Sequence, residues 1–212
     1  MTITENDVQA LVGPQFRALA DALAAEPASV ADAPSLCEGW AVKNVLAHMT
    51  MAARYDGPAF AAELAAVGHD FGALSEKVAR RDGELSFARL LDDLRSDTMA
   101  GWAPPGGGAA GALSHVVIHG LDITAALGLP RTAEDRATLL VLASLAGGGV
   151  AAHFGVDPTG KRLRATDLDW QFGTGEPVEA PASDLVLALA GRPRPGIDLS
   201  GIDLSRIDLS GN

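Results

Sequence analysis

In Leu113-Ser114-His115-Val116-Val117-Ile118-His119-Gly120-Leu121-Asp122, two histidines stand four residues apart in an apolar run. On a helix, residues so spaced lie one turn apart on the same face, with Cβ atoms about 5–6 Å apart. That separation lets two imidazoles converge on one ion at about 2.0–2.1 Å each. Val116, Val117 and Ile118 can then face neighbouring helices and wall the site off from bulk water. Asp122, three residues beyond His119, shares the face. A carboxylate there is placed to accept the far N–H of an imidazole and fix its tautomer; its plainer role is a surface charge near the helix end. The pair alone suits two histidines packed in a core equally well, so a third donor is needed. The candidates are His48, His69, His153, Cys37 or a carboxylate. His48 fits best, mid-helix beside an apolar stripe. His69, between Gly68 and Asp70, reads as a solvated turn residue, and His153 follows a glycine run.

Outward from this segment, the pattern predicts a helix over residues 109–127, closed by Gly128 and blocked by Pro130. A glycine- and proline-rich loop, residues 104–108, precedes it, and residues 86–99 read as another main helix. Near the N-terminus, Thr4 and Asp7 have capping-box spacing. Val8, Leu11, Val12, Phe16, Leu19 and Leu23 follow at helical period, predicting a helix over residues 6–25 with a kink at Gly13-Pro14. A second helix starts near Trp40, with Val42, Val45, Leu46 and Met49 as its stripe, and Gly57-Pro58 is expected to break it. Thr132 and Asp135 introduce a further helix, residues 133–146. Beyond Gly155 the period shifts: residues 162–166 and 169–172 alternate like strands, and residues 183–190 read as a short helix. The expected organisation is a helical bundle over residues 1–155, a small α/β annex over 156–191 and a tail over 192–212. In the tail, Ile197-Asp198-Leu199-Ser200 recurs from Ile202 and Ile207. Three such copies cannot bury a core of their own, and an extended tail is expected.

Composition narrows the function. The net charge of −11 over 212 residues repels phosphate backbones and anionic lipid, which argues against nucleic acid and membrane as partners. The single cysteine, Cys37, permits no internal disulfide and fits a cytoplasmic protein. Residues 1–12 are polar and acidic, unlike a signal peptide, and the apolar run at 139–146 is too short to span a bilayer.

The segment Leu36-Cys37-Glu38-Gly39-Trp40-Ala41-Val42-Lys43-Asn44-Val45-Leu46-Ala47-His48-Met49 resembles the signature opening the second helix of the DinB-like superfamily. More narrowly, it resembles the mycothiol-dependent maleylpyruvate isomerase family. His115 to Gly128 is similar to that family's second metal motif, and Arg162 to Gly191 to its small C-terminal domain. The resemblance implies a mainly α fold, an up-and-down four-helix bundle with a small α/β annex. It also implies a divalent metal held by His48, His115 and His119, the ion being zinc or else nickel. The mycothiol-dependent isomerase carries glutamate where this chain has His115. Three histidines look like the broader DinB branch instead.

Three neutral imidazoles leave the ion its full charge and an open position, which points to a working site rather than a structural one. One use is to bind the thiol of a small cofactor as thiolate, which then attacks an electrophile in a transfer or a double-bond isomerisation. The resemblance implies mycothiol or a related thiol as that cofactor. A second use is hydrolysis by activated water, which also needs an acid or base; Asp122 is a weak candidate and Glu38 a weaker one. A third reading is a metal-binding protein without catalysis. Cys37, near a helix start, is either a reactive thiol or a small core residue, and the core role is expected. Trp40 reads as packing, and Trp102 with the 104–108 loop as a lid or a plain connector. Lys161 and Arg164 are either cofactor-binding cations or solvated ones.

Overall fold

The computed structural model describes residues 3–148 and 151–199. The chain is mainly helical with one small sheet, and it forms two compact units, residues 1–134 and 135–212.

In the first unit, helix α1 (Glu5–Ala24) is set by the capping box foreseen at its start. Thr4 Oγ1 accepts from the Asp7 N–H, and the Asp7 carboxylate accepts from the Thr4 N–H. Pro14 lies inside α1, and the helix runs through it. Val12, Phe16, Leu19 and Leu23 are fully buried along one stripe, and the helix packs against helical residues 87–94, 97–101 and 108–124. The second helix is α2 (Val42–Met49), followed by the single turn α3 (Met51–Arg54). The break falls at Thr50, whose hydroxyl donates to the Leu46 carbonyl at 2.7 Å and so competes with the helical ladder.

Gly57-Pro58 starts a helix rather than breaking one. Asp56 caps α4 (Gly57–Ala65), with proline in the first turn, where its missing N–H costs nothing. Asp70 caps α5 (Phe71–Asp82), and Ser86 caps α6 (Phe87–Leu94). The single helix expected over 86–99 is therefore two. Ser96 takes the Met99 N–H and restarts the chain as α7 (Asp97–Gly101). α8 (Gly108–Thr124) ends near its expected place, with Gly128 in the left-handed region at φ 69°. Twelve of its residues are buried, so α8 has no solvent face for most of its length.

The second unit contains α9 (Asp135–Ala146), β1 (Lys161–Ala165), β2 (Gln171–Gly173), β3 (Glu176–Ala180) and α10 (Ala182–Leu189). The strand order is β2-β1-β3, with β1 antiparallel to β2 and parallel to β3. β3 is absent from the sequence expectation, and it carries Pro177, a residue that disfavours a strand interior. As an edge strand it tolerates the missing N–H. Leu163 and Ala165 of β1 and Ala180 of β3 are buried, and α10 packs on both α9 and β1. The sequence suggests a boundary at 155/156; the compact units divide at 134/135, which puts α9 with the sheet. Of the repeat tail, Ile197–Leu199 is described, with Leu199 buried; the copies from Ser200 onward lie outside the described residues. Among those described, no helix is long and apolar enough to cross a membrane.

Candidate functional site

α2 and α8 bring three histidines together. His48 stands in the last turn of α2; His115 and His119 stand one turn apart on α8. Their ring centroids are 5.1 Å (His48–His115), 4.9 Å (His48–His119) and 4.8 Å (His115–His119) apart. Each offers a ring nitrogen, and the three atoms lie within 4.8 Å of one another, an arrangement that could hold a metal ion.

Charge is expelled from two of these rings. Burial, reinforced by His119, pushes His48 down to about 3. Burial, with His119 and His48 beside it, holds His115 well below the ordinary imidazole value, against a backbone hydrogen bond with Met49. Both rings are therefore neutral at physiological pH, the state in which imidazole donates a lone pair. His48 Nδ1 and His115 Nε2 are buried with no hydrogen-bond partner in the protein. Such orphans are costly and need a compensating ligand. A metal ion fits this donor set.

His119 is oriented from behind. Its Nδ1 lies 2.9 Å from Asp122 Oδ2. A carboxylate only accepts, so this nitrogen carries the hydrogen and Nε2 is left with the lone pair. Asp122 is fully buried and also accepts from the Cys37 thiol at 3.1 Å. Cys37 Sγ is 3.7 Å from His119 Nδ1. Cys37, His119 and Asp122 form a second group of metal-competent atoms.

The Cys-Glu-Gly-Trp segment is built to put Cys37 there. The Trp40 N–H donates to the Cys37 carbonyl at 3.0 Å, closing a four-residue turn whose third residue, Gly39, has φ 74°. A type II turn takes glycine at that place. Ser35 Oγ donates to the Trp40 carbonyl and accepts from the Cys37 N–H. The Leu36 N–H donates to the Asp122 carbonyl at 3.0 Å, tying the loop to α8. Trp40 then lies 5.3 Å from the His48 ring, its Nε1–H held by Glu76 at 2.6 Å.

Beside the histidines is a cleft of about 310 Å³, with His48 and His115 in its wall. Trp102 stands edge-on to His115 at 5.1 Å. Trp102, Pro104 and Pro105 line the cleft, so the loop segment read as lid or connector forms part of this wall. Met51, Tyr55, Phe60 and Phe71 line it too; sequence reasoning missed all four. Only Phe71, directly after a capping aspartate and 55% exposed, breaks an expected pattern.

The remaining candidates lie elsewhere. His69 is exposed in a turn at φ 63°. His153 is exposed and belongs to the second unit. Glu38 is exposed and in neither metal-competent group. Lys161 and Arg164 pair with Glu176 and Glu179 across the β1–β3 ladder.

The class these features define is a helical bundle whose second and last helices present neutral nitrogen donors beside an apolar cleft. Residues 12–104, a little under half of the chain, match the family model described as mycothiol maleylpyruvate isomerase N-terminal domain. The matched range includes His48 and ends before His115 and His119. The fold of the whole chain is similar to a crystal structure of a histidine-to-alanine mutant of the mycothiol-dependent maleylpyruvate isomerase. The TM-score is 0.51 at 16% identity, over 95% of this chain and 99% of that one. No curated protein sequence matches.

Proposed function

We propose that this protein is a metal-dependent enzyme that uses a low-molecular-weight thiol, of the mycothiol type, on a small electrophile, by transfer or by isomerisation. His48, His115 and His119 would hold one divalent ion, zinc or else nickel. The observation that carries the reading is the pair of orphaned, neutral nitrogens on His48 and His115, next to a third ring oriented by a buried carboxylate. The family name supplies the thiol.

A divalent ion held there supplies a Lewis acid that keeps a thiol ligand as the nucleophilic thiolate at neutral pH. The protein's own groups do the rest. Asp122 holds the Nδ1 proton of His119 and keeps that ring in one tautomer and orientation. Burial keeps His48 and His115 uncharged, so they do not repel a cation. The aromatic walls of the cleft thin the water around a bound electrophile, which protects the nucleophile from solvation.

A hydrolase needs a positioned acid or base beside the ion. Asp122 is engaged by His119 and Cys37, and Asp56 caps α4. These engagements favour the thiol reading. A reducing cytoplasm suits both the lone cysteine and a free thiol cofactor.

The test is metal content of untagged protein by elemental mass spectrometry, wild type beside His119→Ala. About one equivalent of zinc or nickel is expected in the wild type and a large loss in the variant. Cobalt-substituted wild type should then show a thiolate-to-metal charge-transfer band on adding a thiol. Wild type that neither carries nor takes up metal would overturn the reading.

A further inference from the structure

We propose that the electrophile taken by this site is neutral and aromatic or otherwise apolar, and that the site disfavours dicarboxylates. The inference rests on the reading of the histidine cluster as the reacting centre, because the cleft is assigned to substrate by its contact with His48 and His115.

The cleft carries this argument through its walls. Met51, Tyr55, Phe60, Phe71, Trp102 and Pro104 are among the residues that line it. Among the described residues lining it there is no lysine or arginine, and the only carboxylate is Asp56.

The nearby cations face elsewhere. Arg54 is 9% exposed and pinned between Asp82 and Asp93, each at 2.9 Å. Arg81 pairs with Glu63 and Asp82. The Tyr55 hydroxyl donates to Asp82 at 2.7 Å. Its polar end is thereby committed to the ion-pair network, and its ring is what remains for the cleft.

A dianion entering would shed water with no lysine or arginine in the lining to replace it, beside Asp56 and in the field of a protein of net charge −11. A neutral ring meets the reverse conditions. Tyr55, Phe60, Phe71 and Trp102 offer faces and edges for offset or edge-on packing.

Size agrees. A cavity of about 150 Å³ holds benzene, so about 310 Å³ admits a substituted ring or a fused pair. The wall is also backed. Tyr55 and Phe60 pack against a buried cluster of Met51, Leu74 and Val78, so the apolar surface is fixed rather than a collapse of loose side chains.

Equilibrium dialysis of the full chain with two probes tests the proposal: 2-naphthol, neutral at pH 7, and maleate, a dianion. Both are measured with and without one equivalent of zinc. At least tenfold tighter binding of 2-naphthol is expected in both conditions. Phe71→Arg should weaken 2-naphthol at least fivefold and strengthen maleate. Phe71 is half exposed, so this variant should fold, and Phe60→Ala provides an independent loss of wall. Maleate binding as tightly as 2-naphthol would overturn the proposal. So would 2-naphthol binding that neither variant weakens, since the probe would then sit elsewhere. Failure of the metal-centre reading appears separately, as absence of bound zinc, while the probe preference is still read in the metal-free protein.

Discussion

Replacing Asp122 by asparagine tests whether the buried carboxylate tunes the histidine cluster. The side chains are almost the same size, and the amide oxygen can still accept from His119 Nδ1. What changes is charge. The carboxylate accepts hydrogen bonds from His119 at 2.9 Å and from Cys37 at 3.1 Å. Bonds to a charged acceptor contribute about 1.5–3 kcal/mol and neutral ones about 0.5–1.5. Only the bond to His119 reaches the proposed ligand set; losing roughly 1–2 kcal/mol there weakens zinc binding by about 5- to 30-fold, which overlaps the 10- to 100-fold range for losing an outer partner of a metal-bound histidine. Competition against a chromophoric zinc chelator reads the affinity, and far-ultraviolet circular dichroism checks the fold. Cys37→Ser keeps a donor to Asp122 and should stay within about threefold of wild type. Folded Asp122→Asn protein with zinc affinity within twofold of wild type would refute the orienting role.

Three further outcomes follow from the same geometry. Arg54→Met should cost about 1.5–3 kcal/mol in urea denaturation, because it removes the buried cation shared by Asp82 and Asp93, which keep Arg81 and Arg89 as partners. Metal-free protein should lose stability as pH falls. His48 has its folded value lowered to about 3 against about 6.5 unfolded, so the unfolded chain binds the extra proton below 6.5. The loss runs from about pH 6.5 towards 3 and reaches about 2 kcal/mol by pH 5; thermal melts should show it, and His48→Leu should flatten the slope. Gly39→Ala meets no atom within 4 Å but must adopt φ 74°, which should cost about 1–2 kcal/mol in the same denaturation assay.

The helical bundle was legible because its signals are periodic and local. α1 was fixed by its capping box and stripe, and α8 by an apolar run that ends on Gly128. The three histidines were legible because two share one helix face. What stayed hidden is non-local. Thr50 ends α2 through its own hydroxyl, and a threonine in an apolar stripe carries no mark of that choice. β3 is recruited by parallel pairing with β1, which overrides the discouragement of Pro177. The cleft lining comes from α3, α4, α5 and the loop after α7, so no window of sequence contains it. The link from Cys37 to Asp122 spans 85 residues, so no local pattern around the cysteine announces it.

His115 ties the proposed chemistry to the proposed substrate. The resembling isomerase carries glutamate at this position, and a glutamate ligand would cancel one unit of the ion's charge. Three imidazoles cancel none, so the centre would keep +2 and hold a thiolate more strongly. The cleft beside it offers no compensating cation among its described lining residues. A dianionic substrate would then have the ion as its only positive partner and would compete there with the thiolate. A neutral electrophile avoids that competition: the thiolate takes the ion and the ring takes the aromatic wall. His115→Glu should therefore weaken cobalt-bound thiol in a competition titration while lowering 2-naphthol affinity of the metal-free protein by no more than about threefold, since His115 is one edge of a wall whose aromatic side chains all remain. If both fall together in a folded variant, His115 acts through packing of the cleft, and the division of labour between ion and wall is wrong.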